Sequence, residues 1–231
     1  MKKLLILGDY DPASETHAAT DAAIGHSGRR LKADLESAWV STERIPEEQL
    51  KRCGGIWVAP GSPYRNMENV LHAIRYAREK RVPILGTCGG FQHMVIEYAR
   101  NILGYEEAQH AEYLPDAADP IISKLACSLR GKEMALTLSP GSLSASLYGK
   151  LDAKERYYCS FGVNPRFAEQ LEKGPISIAG SDGEGEIRVI EYPGHPFYIG
   201  TLFVPQALST EDRPHPIVTG FLKAVAEGEG G

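Results

Sequence analysis

Continuous apolar runs and helically spaced apolar positions take turns along the first half of the chain. Leu4 to Leu7 and Gly55 to Ala59 are unbroken runs, and Val82, Ile84 and Leu85 form another around Pro83. Such runs fit strands covered on both faces. A further strand is expected within Ala33 to Val40. Between these lie helical patterns. Ser14 with Glu15 reads as a capped start for His17 to Ile24, and Ile45 to Leu50 begins a short helix with Pro46 near its first position. Asn66 to Lys80 carries Val70, Leu71, Ile74 and Ala77 on one face, and Phe91 to Leu103 repeats apolar residues at the same spacing. Strands alternating with helices predict a three-layer α/β fold on a mostly parallel, doubly wound sheet with right-handed crossovers.

The pattern then changes. Tyr105 to Phe167 is less periodic; within it Leu136 to Leu147, with Pro140 and Gly141, has the content for short strands without clear bounds. Three short strands are expected at Ile176 to Ala179, Ile187 to Tyr192 and Phe197 to Phe203, joined by turns at Ser181 to Gly185 and Pro193 to Pro196. They make a small late antiparallel group. Pro214-His215-Pro216 opens a terminal helix through Ala226, and Glu227 to Gly231 reads as a frayed tail. The similar blocks Ile74 to Arg78 and Ile96 to Arg100 share helix chemistry without a repeat period.

At 231 residues the chain suits one domain over 1–231, with no linker to divide it. Its 42% hydrophobic and 24% charged residues are ordinary for a globular protein, and a formal charge of -5 argues against a nucleic-acid partner. Cys53, Cys88, Cys127 and Cys159 have neither zinc-like spacing nor a disulfide framework, so no metal is expected. The opening apolar run stops at Gly8-Asp9 with no cleavage pattern, and no run nears the ~20 residues of a spanning helix. The expectation is a cytoplasmic protein without a membrane partner.

Candidate chemistry centres on Cys88, placed by the pattern at a strand-to-helix turn. There the free N–H groups of a helix start can stabilise a thiolate and the oxyanion it generates, while Gly86, Gly89 and Gly90 let the backbone bend and pack closely. The same residues also fit a buried small thiol in a tight turn. His17, in the first turn of its helix near a strand's carboxyl end, is either a base or a solvated surface histidine. Pro60 to Tyr64 is rich in residues that fix unusual turns.

Gly86 to Gln92, continued through His93 to Gly104, resembles the nucleophile segment of class I glutamine amidotransferases, specifically of the CTP synthase glutaminase domain. The resemblance covers nearly the whole chain and implies that fold, with Tyr105 to Phe167 as an extension packed over the site. It implies an oxyanion site at the amides of Ser62, which stands where a Pro-Gly-Gly loop has its second glycine, and Gly89; Pro63 has no N–H to give. Gly61, Gln92 and Glu112 match positions that contact glutamine, and Glu112 suits an α-amino group.

Other family positions are altered. His195 to Gln206 aligns without a gap with the segment that carries the family's catalytic histidine and glutamate, which puts Val204 and Gln206 at those positions. His195 matches an earlier, noncatalytic histidine. In Lys154 to Asn164 the family's basic residues are replaced, and the arginine for the glutamine α-carboxylate is Ser160, a neutral hydroxyl that cannot form a bidentate ion pair. The phosphate-binding loop of the family's amidoligase half occurs nowhere, so the chain alone makes no CTP.

The resemblance therefore implies a CTP-synthase-related protein of pyrimidine metabolism that keeps nucleophile Cys88 but hydrolyses glutamine weakly or not at all, with His17 and His110 as candidate replacement bases. It would bind a small amide or amino-acid-like ligand, need no cofactor and act with a synthetase partner protein; a homodimer is left open. Two alternatives stand beside it. One is a noncatalytic binding or regulatory subunit of an ammonia-using synthetase. The other is a Cys88 hydrolase or redox protein acting on another small substrate, in the redox case with Cys53, Cys127 or Cys159 as resolving thiol.

Overall fold

The computed structural model describes residues 2–228. The first part of the chain alternates strands and helices: β1 (Lys2–Leu7), α1 (Glu15–Leu31), β2 (Leu35–Val40), α2 (Glu47–Arg52), β3 (Gly55–Val58), α3 (Met67–Lys80), β4 (Ile84–Thr87) and α4 (Gly89–Asn101). Then follow β5 (Ile122–Lys124), β6 (Lys132–Leu138), α5 (Leu143–Tyr148), β7 (Asp152–Tyr157), β8 (Phe161–Val163), α6 (Ala168–Leu171), β9 (Ser177–Ser181), β10 (Ile187–Glu191), β11 (Tyr198–Thr201) and α7 (Pro216–Glu227).

One sheet has the order β2-β1-β3-β4-β11-β10-β9-β6-β7, and β5 pairs with β8 separately. The strands from β2 to β11 in that order are parallel, whereas β10, β9, β6 and β7 continue antiparallel. The expected α/β layering and the late antiparallel pairing are both present. β11 joins them: it runs parallel to β4 and antiparallel to β10, which makes the late strands an extension of the main sheet.

Side chains alternate across β3 and set the layers. Trp57 meets Phe221 of α7 edge-on at 5.9 Å between ring centroids, while Val58 lies against Gly90 of α4. α1 packs beside α7 and α3 beside α4, so the sheet is covered on both faces. α1 continues past the expected end at Ile24 to Leu31 because small residues let it approach α7; Ser27 Oγ is 3.0 Å from Thr219 Oγ1. Pro46 caps α2 from outside rather than occupying its first turn, and Leu136 to Leu147 divides into the end of β6 and most of α5. α7 extends to Glu227, and the part of the expected tail at 229–231 lies outside the described residues.

Two polar devices brace this frame. Glu97, fully buried on α4, receives Arg78 Nη2 of α3 at 2.7 Å and Asn101 Nδ2 at 3.1 Å. Asp9 accepts from Thr42 Oγ1 at 2.6 Å and from the Arg65 amide at 3.0 Å, tying the turn after β1 to the loop after β3. Burial opposes ionisation of Asp9, but these bonds outweigh it and hold the carboxyl below its ordinary range. Among the described residues no helix is long and apolar enough to cross a membrane.

Candidate active site

Cys88 stands between β4 and α4 at φ 52°, ψ -106°, where side chains are rarely found. Neighbours fix it there: its amide donates to Thr201 O of β11 at 2.9 Å, and glycines allow α4 to close on the sheet. A Cβ on Gly86 would overlap Met94 Sδ and the Gly90 backbone, and one on Gly90 would be driven into the Val58 carbonyl. Strain held in this way at a strand-to-helix turn is the hallmark of a nucleophile elbow.

The loop after β3 meets the elbow. Gly61 has φ +114°, a conformation open to glycine, and the Ser62-Pro63 peptide is cis. A Cβ on Gly89 would lie 3.1 Å from Ser62 N, so the Ser62 and Gly89 amides are close neighbours. Gly89 opens α4, and its amide has no intrahelical acceptor.

A cavity of about 580 Å³ opens in front of them, lined in part by Glu15, Gly61, Ser62, Cys88, Gln92, Glu112, Arg130, Tyr158, Cys159 and Ser160. Gln92 ties its walls together: Nε2 donates to Phe161 O at 2.9 Å, while Oε1 accepts from His110 Nε2 at 3.1 Å and Ser62 Oγ at 3.4 Å. Glu112 contributes a buried carboxylate oxygen, Oε2, with no hydrogen-bond partner. Cys159 places Sγ 2.7 Å from Cys88 Sγ and donates to Leu202 O at 2.9 Å. Burial and the adjacent Cys88 push the Cys159 thiol well up.

The two candidate bases lie behind these walls. His17 is buried, not solvated; Nδ1 accepts from the Asp11 amide at 3.0 Å and Nε2 donates to Pro60 O at 3.0 Å. His110 Nδ1 accepts from the Glu112 amide at 3.0 Å, and its Nε2 hydrogen goes to Gln92. Burial and repulsion from His93 push His110 down to about 3, and burial takes His93 down to about 4. Each candidate base therefore has both ring nitrogens engaged, and neither hydrogen-bonds Cys88.

The family model for class I glutamine amidotransferases matches residues 15–224. The chain belongs to that family. Within the class I amidotransferases it is similar to CTP synthases. It is 33% identical over 247 aligned positions to that of Symbiobacterium thermophilum, covering 99% of this chain and 46% of that protein. It is 32% identical to that of Methanopyrus kandleri, covering 99% and 45%. The chain thus spans less than half the length of these relatives. Its fold matches the glutaminase domain of Trypanosoma brucei CTP synthase solved with bound acivicin, at TM-score 0.90 and 23% identity over 99% of this chain and 95% of that one.

Val204 and Gln206 are the residues expected at the positions of the family's histidine and glutamate. Both are buried just beyond β11. The Val204 amide donates to Arg156 O at 2.9 Å, and its side chain has no polar atom. Gln206 Nε2 donates to Thr20 Oγ1 at 3.0 Å and Thr87 Oγ1 at 3.4 Å, behind the elbow. His195 lies elsewhere, its Nε2 donating to Ala77 O at 3.2 Å. Among the described residues no group of three or more His, Cys, Asp or Glu is arranged to hold a metal ion.

Sequence reasoning missed Glu15, Arg130 and Tyr158 in the cavity wall. Tyr158 and Ser160 belong to the altered Lys154 to Asn164 segment, which pointed to the site; Arg130 lies within the aperiodic Tyr105 to Phe167 stretch, where no local pattern singled it out.

Proposed function

We propose that this class I amidotransferase domain binds a small amide or amino-acid-like ligand at Cys88 and hydrolyses glutamine at a small fraction of the rate of a domain with a complete triad. One observation carries the reading: the strained Cys88 elbow and Glu112, whose Oε2 has no hydrogen-bond partner, line the same cavity. An ammonium group on the ligand would satisfy that oxygen, while the Ser62 and Gly89 amides receive the amide carbonyl. The thiol lacks a proton acceptor, because Val204 has none to offer and His17 and His110 are committed elsewhere. Losing the base of a triad removes on the order of 10³-fold or more in rate. The reading includes a synthetase-class protein that uses ammonia, a role supported by membership of the class I glutamine amidotransferases and likeness to CTP synthases.

Ammonia release from L-glutamine, run beside Cys88→Ala, tests the chemistry, and calorimetry with glutamine and glutamate tests binding. The expected result is turnover that exceeds that of Cys88→Ala only slightly, on the order of 10³-fold or more below a full-triad domain, with binding weakened about 10- to 100-fold in Glu112→Gln. Rapid Cys88-dependent turnover would overturn the reading.

A further inference from the structure

We propose that Cys88 and Cys159 form a hydroperoxide-reactive dithiol, with Cys88 as the attacking sulfur and Cys159 as the resolving one. The sulfurs are 2.7 Å apart, both are free, and both line the same cavity. Forming a bond of about 2.05 Å requires them to close by only about 0.6 Å.

The roles follow from the surroundings. Cys88 stands at the N-terminus of α4, where helix amides favour negative charge on sulfur, and it lies on the cavity wall that a small hydroperoxide can reach. Cys159, less exposed than Cys88 on the same wall, directs its hydrogen to Leu202 O, so it remains a thiol until a neighbouring sulfur becomes electrophilic. The other cysteines are elsewhere. Cys53 follows α2, its thiol pushed up by burial to about 11, and Cys127 lines a separate groove with Asp182 and Arg188.

The chemistry balances with a hydroperoxide as the oxidant. Cys88 thiolate attacks the terminal peroxide oxygen; the O–O bond breaks, an S–O bond forms, and the leaving oxygen departs as water or an alcohol after taking a proton. The Cys159 sulfur then attacks the Cys88 sulfenic sulfur, forming the S–S bond and releasing the hydroxyl as water with the Cys159 proton. A dithiol reductant reverses the change. While the disulfide stands, Cys88 cannot attack an amide, so the same sulfur is nucleophile or locked according to its oxidation state.

The test is thiol mapping of the whole protein after mild hydrogen peroxide, by alkylation and mass spectrometry without reduction. The readout is independent of ammonia release, so this proposal and the preceding one fail separately. Alkylatable thiols should fall from four to two, with one intramolecular link between the Cys88 and Cys159 peptides that dithiothreitol removes. Cys159→Ser, which keeps a hydrogen for Leu202 O, should instead accumulate a dimedone-trapped sulfenic acid at Cys88. A disulfide through Cys53 or Cys127, irreversible oxidation of Cys88 with Cys159 still a thiol, or an unchanged pair would each overturn the proposal.

Discussion

Replacing Gln206 by glutamate changes one atom type behind the elbow, and the hydrogens already committed there set its cost. Gln206 Nε2 donates to Thr20 Oγ1 and Thr87 Oγ1. Thr20 spends its own hydrogen on Thr16 O at 2.8 Å, and Thr87 Oγ1 also receives Trp57 Nε1 at 3.1 Å. An ionised carboxylate would set one oxygen against Thr20 Oγ1, whose hydrogen is spent, and find at best the Thr87 hydroxyl as a donor, whereas a neutral acid keeps one donor and loses one bond, about 1 kcal/mol. Holding that acid neutral at pH 8, against an unfolded value near 4.3, costs at most about 5 kcal/mol; at pH 5 the figure is about 1 kcal/mol.

The expected penalty of Gln206→Glu is therefore about 6 kcal/mol at most at pH 8 and about 2 kcal/mol at pH 5. The sign follows from a folded-state pKa raised above the unfolded one: the titration penalty is absent below the unfolded value and grows as pH rises toward the folded value. Urea unfolding followed by tryptophan fluorescence reads the effect. With a slope of about 3 kcal/mol per molar, the midpoint should drop below wild type by roughly 2 M at pH 8 and by less than about 1 M at pH 5. Equal drops at both pH values would refute the donor arrangement. Adding Val204→His supplies an imidazole partner, and the double variant should lose less than the sum of the singles.

Gly90→Ala should cost several kcal/mol in the same assay because its Cβ meets the Val58 carbonyl, whereas Gly28→Ala, with open space in α1, should gain about 0.5–1 kcal/mol. Glu97→Gln removes the nearer and fully buried counter-charge of the half-buried Arg78, leaving Glu79 at 3.8 Å, and should cost about 3 kcal/mol, read as a fall of about 10 °C in the calorimetric midpoint. His93 and His110, held neutral well below 6.5, give stability that is full above pH 6.5 and lost as pH falls toward their folded values of about 4 and about 3. The loss at pH 5 should be about 2 kcal/mol for each imidazole, and His110→Gln should reduce the slope of urea midpoint against pH; an unchanged slope would contradict the neutral assignment.

Much of the scaffold was legible because it rests on local patterns. The apolar runs at Leu4 to Leu7 and Gly55 to Val58 have no polar face to expose, and the elbow glycines are spaced for a strand meeting a helix. The limit of α1 was not, because Gly25 and Gly28 weaken a helix locally while contact with α7 supports it from far along the chain. The site divides in the same way. Cys88, Gln92 and Ser62 sit at positions their local motifs indicate, but the commitment of both His17 nitrogens depends on Asp11 and Pro60, and Cys159 reaches Cys88 only through the folded sheet. Periodicity carries no record of which atoms a side chain finds on a neighbouring segment.

The central place of β11 has a consequence for synthesis on the ribosome. β4, the strand that carries Cys88, has β3 on one side from early in the chain, but its other edge waits for Tyr198–Thr201. Throughout translation of the intervening segment, β4 exposes an unpaired apolar edge, the kind of surface that recruits foreign strands. The Cys88 turn is thus made early and finished late, and a chain arrested before residue 198 would carry Cys88 beside an open, aggregation-prone edge.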